Sequence, residues 1–578
     1  MKNKLLLVAV AFLMATTLAL LNANPGHPIK KYSPARTYKP VVRCSPDWSA
    51  LHDWLEESDI PPIPGAGSWK WKISTPNDSA QFYFNQGMNM YYSFHIIESM
   101  ASFKKAARFD PGAAMLHWAQ ALAYGPNIND LGYTASPEAL EATEKARELS
   151  AGCTPMEKSL IEAMVVRYSR DSANSRNMLN QAYTDKMKAV FEKYGSQGDV
   201  AALYADAMML QHPWDLWHNN GTPQPWTPLI RSVLEKTLAQ YPGHPGSNHY
   251  YIHVMEASPF AAKAIPAANR LGKITPGLSH TVHMPSHIYL RTGNYKAGIV
   301  VNEAAVKSYE KSIPLFAPVT GADFLYIIHN LHMQTNQAML SGESSLAAAS
   351  AQATVKSIKE DYLSIPGAMG NLVQYVYMTP VFVDVRYGNW DNLLNTPAPA
   401  SNLIYANIIW HFGRGMAFSE HKNYEDAIRE LKQLQILIKD SSLYAPFPPF
   451  SSSIEGAKVA EQLLTGKIAL VQKLYPQAIE AFEKAVTIEE NMVYDEPRDW
   501  LLSPRHYLAD ALLKSGDPKK AFDVLKIDLA RNNKNGWALF GSWQALTAMK
   551  QPVQAAAMLK QFHQAFNKSD VKLYGPVF

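Results

Sequence analysis

The stretch Gly466-Lys-Ile-Ala-Leu-Val-Gln-Lys-Leu-Tyr475-Pro-Gln-Ala478-Ile-Glu-Ala-Phe482-Glu-Lys-Ala485 reads as two antiparallel helices pressed together. A small residue on the first helix lets the second approach, and an aromatic on the second fills the gap. The same spacing runs from Ala80 to Pro111, carried by Tyr83, Gly87, Phe103 and Ala106, and Pro111 stops the second helix because it has no amide proton to donate. Gly415, Phe418, Tyr424, Ala427 and Leu431 repeat it, and Gly293, Tyr295 and Ala305 repeat it in part. One hairpin cannot bury its apolar face alone, so the copies must stack into a superhelix.

This pattern resembles the tetratricopeptide repeat, a two-helix unit of about 34 residues. The resemblance implies an all-α fold: a tetratricopeptide-like α-solenoid of stacked helical hairpins with edge insertions. Long insertions fall at about residues 125–136, 212–227 and 312–326. Such insertions project from one edge, often toward the binding face. A Pro-rich stretch, Pro446 to Pro449, interrupts the later part, and Pro397-Ala-Pro399 marks a joint. The expected organisation is an N-terminal helical-repeat array over 80–395 with a His-rich groove, and a C-terminal array over 396–578.

The chain has 578 residues, 47% apolar and 18% charged, which is ample core material and excludes wholesale disorder. Its formal net charge is +4, and removing Lys2 and Lys4 of the leader leaves +2. That near-neutrality sets nucleic acid aside, because phosphate-backbone binding needs a clustered basic excess. Met1-Lys-Asn-Lys, the uncharged run Leu5 to Leu21 and the exit Asn22-Ala23-Asn24 make residues 1–23 a signal peptide. The rival reading is an uncleaved anchor, since that run reaches the short end of a membrane span. No later segment is apolar enough to span, so the mature chain is expected to be exported, periplasmic or secreted. Residues 24–79 read as an extended N-terminal tail, with Pro25, Pro28, Pro34, Pro40 and Pro46 near its start. Cys44 and Cys153 are the two cysteines, paired or free; two thiols exclude a disulfide scaffold and a Cys-rich metal cluster. The sequence carries no signal for an oligomeric state.

Ten of the 18 histidines lie between His212 and His332. His249 and His253 are four apart, as are His283 and His287, so each pair shares a helix face and can reach one ion. The two pairs are 34 residues apart at both members, one repeat length, which puts them on adjacent stacked helices. His329 and His332 in the next unit face the same concave side, as the repeat resemblance implies, and Glu256 lies on the face of His253. Imidazoles without thiolate favour Cu, Zn or Fe, and a carboxylate broadens the set. The proposed metal ligands are therefore His249, His253, Glu256, His283, His287, His329 and His332, enough for two ions, or for one ion and a proton-transfer histidine. The bland alternative is histidines bonded to backbone or water, or a polar groove for peptide. Pro285 must start or kink its helix between His283 and His287.

The insertion His212-Pro-Trp-Asp-Leu-Trp217 looks like a lid over the groove, with Trp214, Asp215 and Trp217 as candidate ligand-binding residues. Asp215 could ligate, orient an imidazole or cap a helix. His95 and His117 read as structural. Arg498 and Arg505 could bind a carboxylate or form salt bridges in a turn. There is no Gly-rich phosphate loop, no Gly-x-Ser-x-Gly elbow and no His-Glu-x-x-His motif.

Several stretches also resemble one bacterial family of exported tetratricopeptide-repeat proteins. They are Phe84-Asn-Gln-Gly-Met with Ser102-Phe-Lys-Lys-Ala, Gly125-Pro-Asn-Ile-Asn129, His212-Pro-Trp-Asp-Leu-Trp217, Asn248-His-Tyr-Tyr-Ile-His253, His283-Met-Pro-Ser-His-Ile-Tyr289, His329-Asn-Leu-His332 and Asn535-Gly-Trp-Ala-Leu-Phe-Gly541. The resemblance spans about residues 80–565 and supports fold and export, but supplies no substrate and no catalytic residue. Two functions follow as expectations. One is a metal-holding repeat protein, a metalloenzyme if an open position meets a small-molecule substrate. The other is a scaffold that takes a peptide or partner protein in its concave groove without metal.

Overall fold

Gly87 and Gly466 each sit where two helices cross, and the same aromatic fills each gap. A Cβ on either glycine would meet Phe103 or Phe482 at 2.4 Å, closer than any real contact. The repeat signature is therefore a packing requirement: the helix pairs Asp78–Tyr92 with Ile96–Phe109 and Ser453–Val471 with Tyr475–Asn491 close only over glycine. Gly415 differs in detail, facing Leu464 of the following hairpin at 2.5 Å. The computed structural model describes residues 46, 48–129, 133, 135–316 and 324–578. Among these the chain is a succession of antiparallel α-helices from Trp48–Glu57 to Pro552–Ala565, with no strand and two isolated bridges, Trp217 with Pro223 and Phe447 with Phe450. It is an all-α helical-repeat solenoid. None of the described helices is long and apolar enough to cross a membrane.

The stretch 1–23 expected to be a signal peptide, Cys44 and most of the Pro-rich start lie outside the described residues, as do parts of the insertions at 125–136 and 312–326. The expected extended tail is corrected over Trp48–Glu57, which is helical. Trp48, Leu51 and Leu55 recur at helical intervals and are buried, so this helix has an apolar stripe that needs covering. The segment after it is held by the array: Ser74 donates its amide and hydroxyl to Glu157, which also completes a capping box with Thr154.

The apolar core has two main parts. One runs from Trp48 through Trp118, Ile252 and Ile288 to Phe316, and the other from Ile299 through Phe382, Phe412, Trp500 and Trp537 to Leu573. The changeover lies around residues 290–330, whereas the core continues unbroken past Pro397 from Leu393 to Leu403. The superhelix returns on itself near that changeover. Arg291 donates to the Arg531 carbonyl at 3.0 Å, Tyr295 to the Asn533 carbonyl at 2.7 Å, and Asn219 to the carbonyls of Glu490 and Met492. These contacts carry the connection after Asn491 back to the histidine-bearing helices.

Candidate metal centre

The Pro245–Glu256 helix is buried on every side, so His249, His253 and Glu256 all point into protein. The following unit is broken: Ser279–His283 ends, Met284 intervenes, and Pro285–Arg291 starts with Pro285 at its first turn. That resolves the Pro285 problem, because the missing amide falls where a helix start leaves amides unbonded anyway. The third contributor, His329–Ser341, follows a π-helical turn over Phe324–Ile328, a local widening that recurs at functional sites.

Six imidazoles meet in two groups of three: His249, His253 and His280 in one, His283, His287 and His329 in the other. Within each group the ligand nitrogens all lie within 4.8 Å of one another. The Nε2 atoms of His283 and His287 are 2.8 Å apart, those of His283 and His329 3.1 Å, and those of His249 and His253 3.1 Å. Imidazoles bound to one tetrahedral ion at about 2.0–2.1 Å place their nitrogens about 3.3 Å apart. The spacing fits.

The outer nitrogens show which atoms carry protons. His249 Nδ1 faces the Tyr92 carbonyl at 2.7 Å, an oxygen that can only accept, so this nitrogen is the donor. His253 Nδ1 faces Glu256 Oε1 at 3.0 Å, and His283 Nδ1 faces Asn302 Oδ1 at 2.6 Å. His287 Nδ1 faces two carboxylates, Glu256 Oε2 at 3.0 Å and Glu496 Oε2 at 2.8 Å. With the Nδ1 protons so placed, the Nε2 lone pairs of neutral rings point at one another. That contact is repulsive unless a proton or a metal cation sits between them. Glu256 orients one ring of each group, the arrangement by which carboxylates fix metal-bound histidines. His280 is 3% exposed, and neither of its ring nitrogens has a hydrogen-bond partner among the described residues. A buried imidazole left so costs stability, about 1–3 kcal/mol per unpaired polar group.

Burial, reinforced by neighbouring imidazoles, holds His249, His280 and His283 well below the ordinary imidazole range. Burial, the largest influence, brings His329 down to about 3. His287 is the exception. Burial opposes its charge, but the Glu256 and Glu496 carboxylates outweigh burial and raise it to about 10. Glu256 responds in kind: burial would raise it, yet His287 and His253 hold it at about 2. Without metal, the His287 proton can occupy the gap to His283 Nε2.

Two aromatics in left-handed backbone wall the site, Phe94 at φ 55° and Trp214 at φ 62°. Bulky residues rarely adopt this region, and such strain gathers at functional sites. Phe94 turns the chain so that the Tyr92 carbonyl reaches His249, and its own ring packs on His249, His253 and His280 at 4.5, 5.9 and 5.6 Å. Trp214 sets its edge against His253 at 5.3 Å, with its indole bonded to the Ile128 carbonyl and its other side on Phe450. Trp217 donates to the Val254 carbonyl at 2.7 Å and stands beside the centre. Asp215 is engaged within its own insertion: Gln224 donates to its carboxylate and Trp226 to its carbonyl, and neither contact orients an imidazole or caps a helix.

Of the seven proposed ligands, the structure brings six together, five imidazoles with Glu256 between them, while His332 packs against Tyr375 at 5.6 Å and belongs to neither group. Its place is taken by His280. The sequence signal for His280 was its position three before His283; what hid it is that its ring joins the preceding hairpin. Glu496 was hidden by its distance of 209 residues from His287 along the chain. His95 is buried, stacked on Tyr326 at 4.5 Å with its Nε2 near the His280 amide, so it braces the first group from behind. His117 bonds the Pro111 carbonyl, a structural contact.

No protein-family profile matches the sequence, and no curated protein matches it. Solved structures similar to the chain include the human IFIT1 dimer with m7Gppp-AAAA, at 11% identity over 89% of this chain and 99% of that one, TM-score 0.32. The yeast Tom70 structure matches at 10% identity over 84% and 99%, TM-score 0.30. The Cut9–Hcn1 assembly matches at 12% identity over 89% and 80%, TM-score 0.28. Overlaps this loose carry no argument. The class rests on the packing described above: an all-α helical-repeat solenoid with a buried polyhistidine centre at its core changeover.

Proposed function

We propose that this protein binds two transition-metal ions of the imidazole-preferring class, Cu, Zn or Fe, one on His249, His253 and His280 and one on His283, His287 and His329. The observation that carries this reading is the facing of Nε2 atoms on His249, His253, His283 and His287, whose outer nitrogens are already committed to carbonyl, amide or carboxylate partners. A cation is the species that converts such a contact from repulsive to favourable. Six neutral donors bring no charge of their own, and Glu256 with Glu496 supplies it one bond further out. Three protein ligands per ion leave a coordination position for water or substrate, the feature that separates catalytic from closed structural sites. The reading thus extends to a metalloenzyme acting on a small molecule. Burial of the imidazoles beneath Phe94 and Trp214 argues against an extended peptide lying on them. Export after removal of residues 1–23 is part of the same proposal, resting on the leader alone.

Calorimetric titration of chelator-stripped, tag-free protein with Zn²⁺ and with Cu²⁺ tests it. Two equivalents bound per chain is the expected result. Saturation at zero, with peptide binding in its place, would transfer the groove to the scaffold reading.

A further inference from the structure

The connection between the helices Tyr475–Asn491 and Pro504–Ser515 does more than deliver Glu496. It walls a cavity of about 110 Å³ with Tyr494, Asp495, Arg498, Asp499 and Trp500, and none of the six clustered imidazoles lies in its lining. A smaller one of about 40 Å³ shares Arg291, Arg498, Trp500 and Arg531 with it and has Glu496 in its wall.

The polar groups around this space are unbalanced. Arg291 gives one terminal nitrogen to the Arg531 carbonyl and the other to the Ser258 carbonyl, leaving its buried Nε without a partner among the described residues. Arg498 donates one nitrogen to Glu489 at 3.1 Å, and Arg531 approaches Glu490 at 3.4 Å. Arg505 takes both of these glutamates, at 2.9 Å for Glu489, so three guanidiniums share two carboxylates and Arg291 has carbonyl partners alone. The salt-bridged turn offered for Arg498 and Arg505 therefore holds in part: both reach Glu489, yet the four cations around the space exceed these two anions by two charges. Glu496, the nearby acid that acts on Arg291, is already engaged by His287 at 2.8 Å, and the remaining acids do not close the difference. Burial raises Asp499 to about 7, and burial with the Asp499 charge raises Asp495 well above the carboxylate range. Trp500 is 1% exposed, and its indole nitrogen lacks a partner among the described residues; so do the Tyr494 hydroxyl and Asp499 Oδ2. Unpaired buried donors are costly, and several around one cavity mark a place where a ligand pairs them.

We propose that this cavity binds a small organic monocarboxylate, its carboxylate held by Arg291, Arg498 and Arg531 and its hydroxyl or amino group facing Asp499. The planar guanidinium fork matches a carboxylate. A phosphate dianion would bring a second negative charge toward Glu489 and Glu490. The proposal is independent of the metal reading, since no metal-facing nitrogen touches the ligand.

Titration calorimetry on the metal-free full chain with glycolate, glycine and inorganic phosphate is the test. Glycolate or glycine is expected to bind one per chain, with phosphate at least tenfold weaker. Arg498 and Arg531 side chains are about a third exposed, 29% and 31%, so their variants are expected to fold. Arg498→Gln and Arg531→Gln should each weaken binding tenfold or more, with Arg498→Lys recovering part, and circular dichroism checks the fold. His332→Ala, which lies outside both imidazole groups and outside the cavity lining, should leave carboxylate binding unchanged. Binding equal in the arginine variants, phosphate as tight as glycolate, binding lost in His332→Ala, or no carboxylate heat in the parent would each overturn the proposal.

Discussion

His506 in the C-terminal part and His283 in the centre are buried alike, at 1% and 0% exposure, and yet they are opposite in kind. His506 is satisfied by protein. Arg386 donates to its Nδ1 at 3.1 Å, and its Nε2 lies 3.1 Å from Asp528 and 3.0 Å from Asn535. His283 has one satisfied nitrogen, on Asn302, and one that faces two more imidazoles. Burial and residue type are shared, so neither distinguishes a binding histidine from a core one. What does is the partner of each ring nitrogen: hydrogen-bonded on both sides means packing, and lone pair against lone pair means a site built for a cation.

The comparison breaks or holds under mutation. The largest effect is expected from His283→Ala with His287→Ala, which should cut bound metal from two ions per chain to one by elemental analysis, while His332→Ala keeps two. His506→Ala should reverse the pattern, leaving metal content unchanged and costing about 3–5 kcal/mol in denaturant unfolding, because Asp528 loses the partner that compensates its burial. Burial would raise the Asp528 carboxyl, but the hydrogen bonds from His506 and Ser503 and the nearby Arg505 charge hold it below the ordinary range. A depressed carboxyl gives stability that is present above its unfolded value, near 3.9, and lost as pH falls through the folded value. The parent should therefore weaken only in strong acid, and His506→Ala should lack that contribution at neutral pH.

Glu256→Gln sharpens the same contrast from outside the coordination shell. Both groups of imidazoles lean on this carboxylate, so metal affinity should fall about 10–100-fold, read by chelator competition. The smallest effect is the most diagnostic for cost. His280→Leu in metal-free protein should stabilise by about 1 kcal/mol, since it removes a buried imidazole with no partner, while removing the metal-induced rise in Tm at that group. A destabilised His280→Leu would show instead that this ring is ordinary core.

Much of this was legible before any coordinates. The glycine–aromatic spacing specified the hairpins because Gly87 and Gly466 must admit Phe103 and Phe482, a local rule that sequence carries directly. The His pairs one repeat apart were legible for the same reason, as helix periodicity and repeat length are both printed in the order of residues. The rest depended on things that spacing does not encode. His280 joins His249 and His253 because Pro285 breaks its helix and the ring turns back toward the preceding hairpin. His332 shares its helix with His329 but packs on Tyr375, away from both imidazole groups. Glu496 arrives through the return of the superhelix, and the Tyr92 carbonyl is a backbone atom, invisible to any motif. Asp215 looked like chemistry because it sits among tryptophans, and proved to be the internal brace of a loop.

The account's central claim, that facing imidazoles in the 245–332 region hold metal, is tested most directly by elemental analysis. Protein purified without a polyhistidine tag from cells supplemented with Zn, Cu, Fe and Mn would be measured by mass spectrometry against protein concentration. Two ions per chain of one imidazole-preferring metal is the predicted result. Less than a tenth of an ion of every metal, in folded protein, would contradict it.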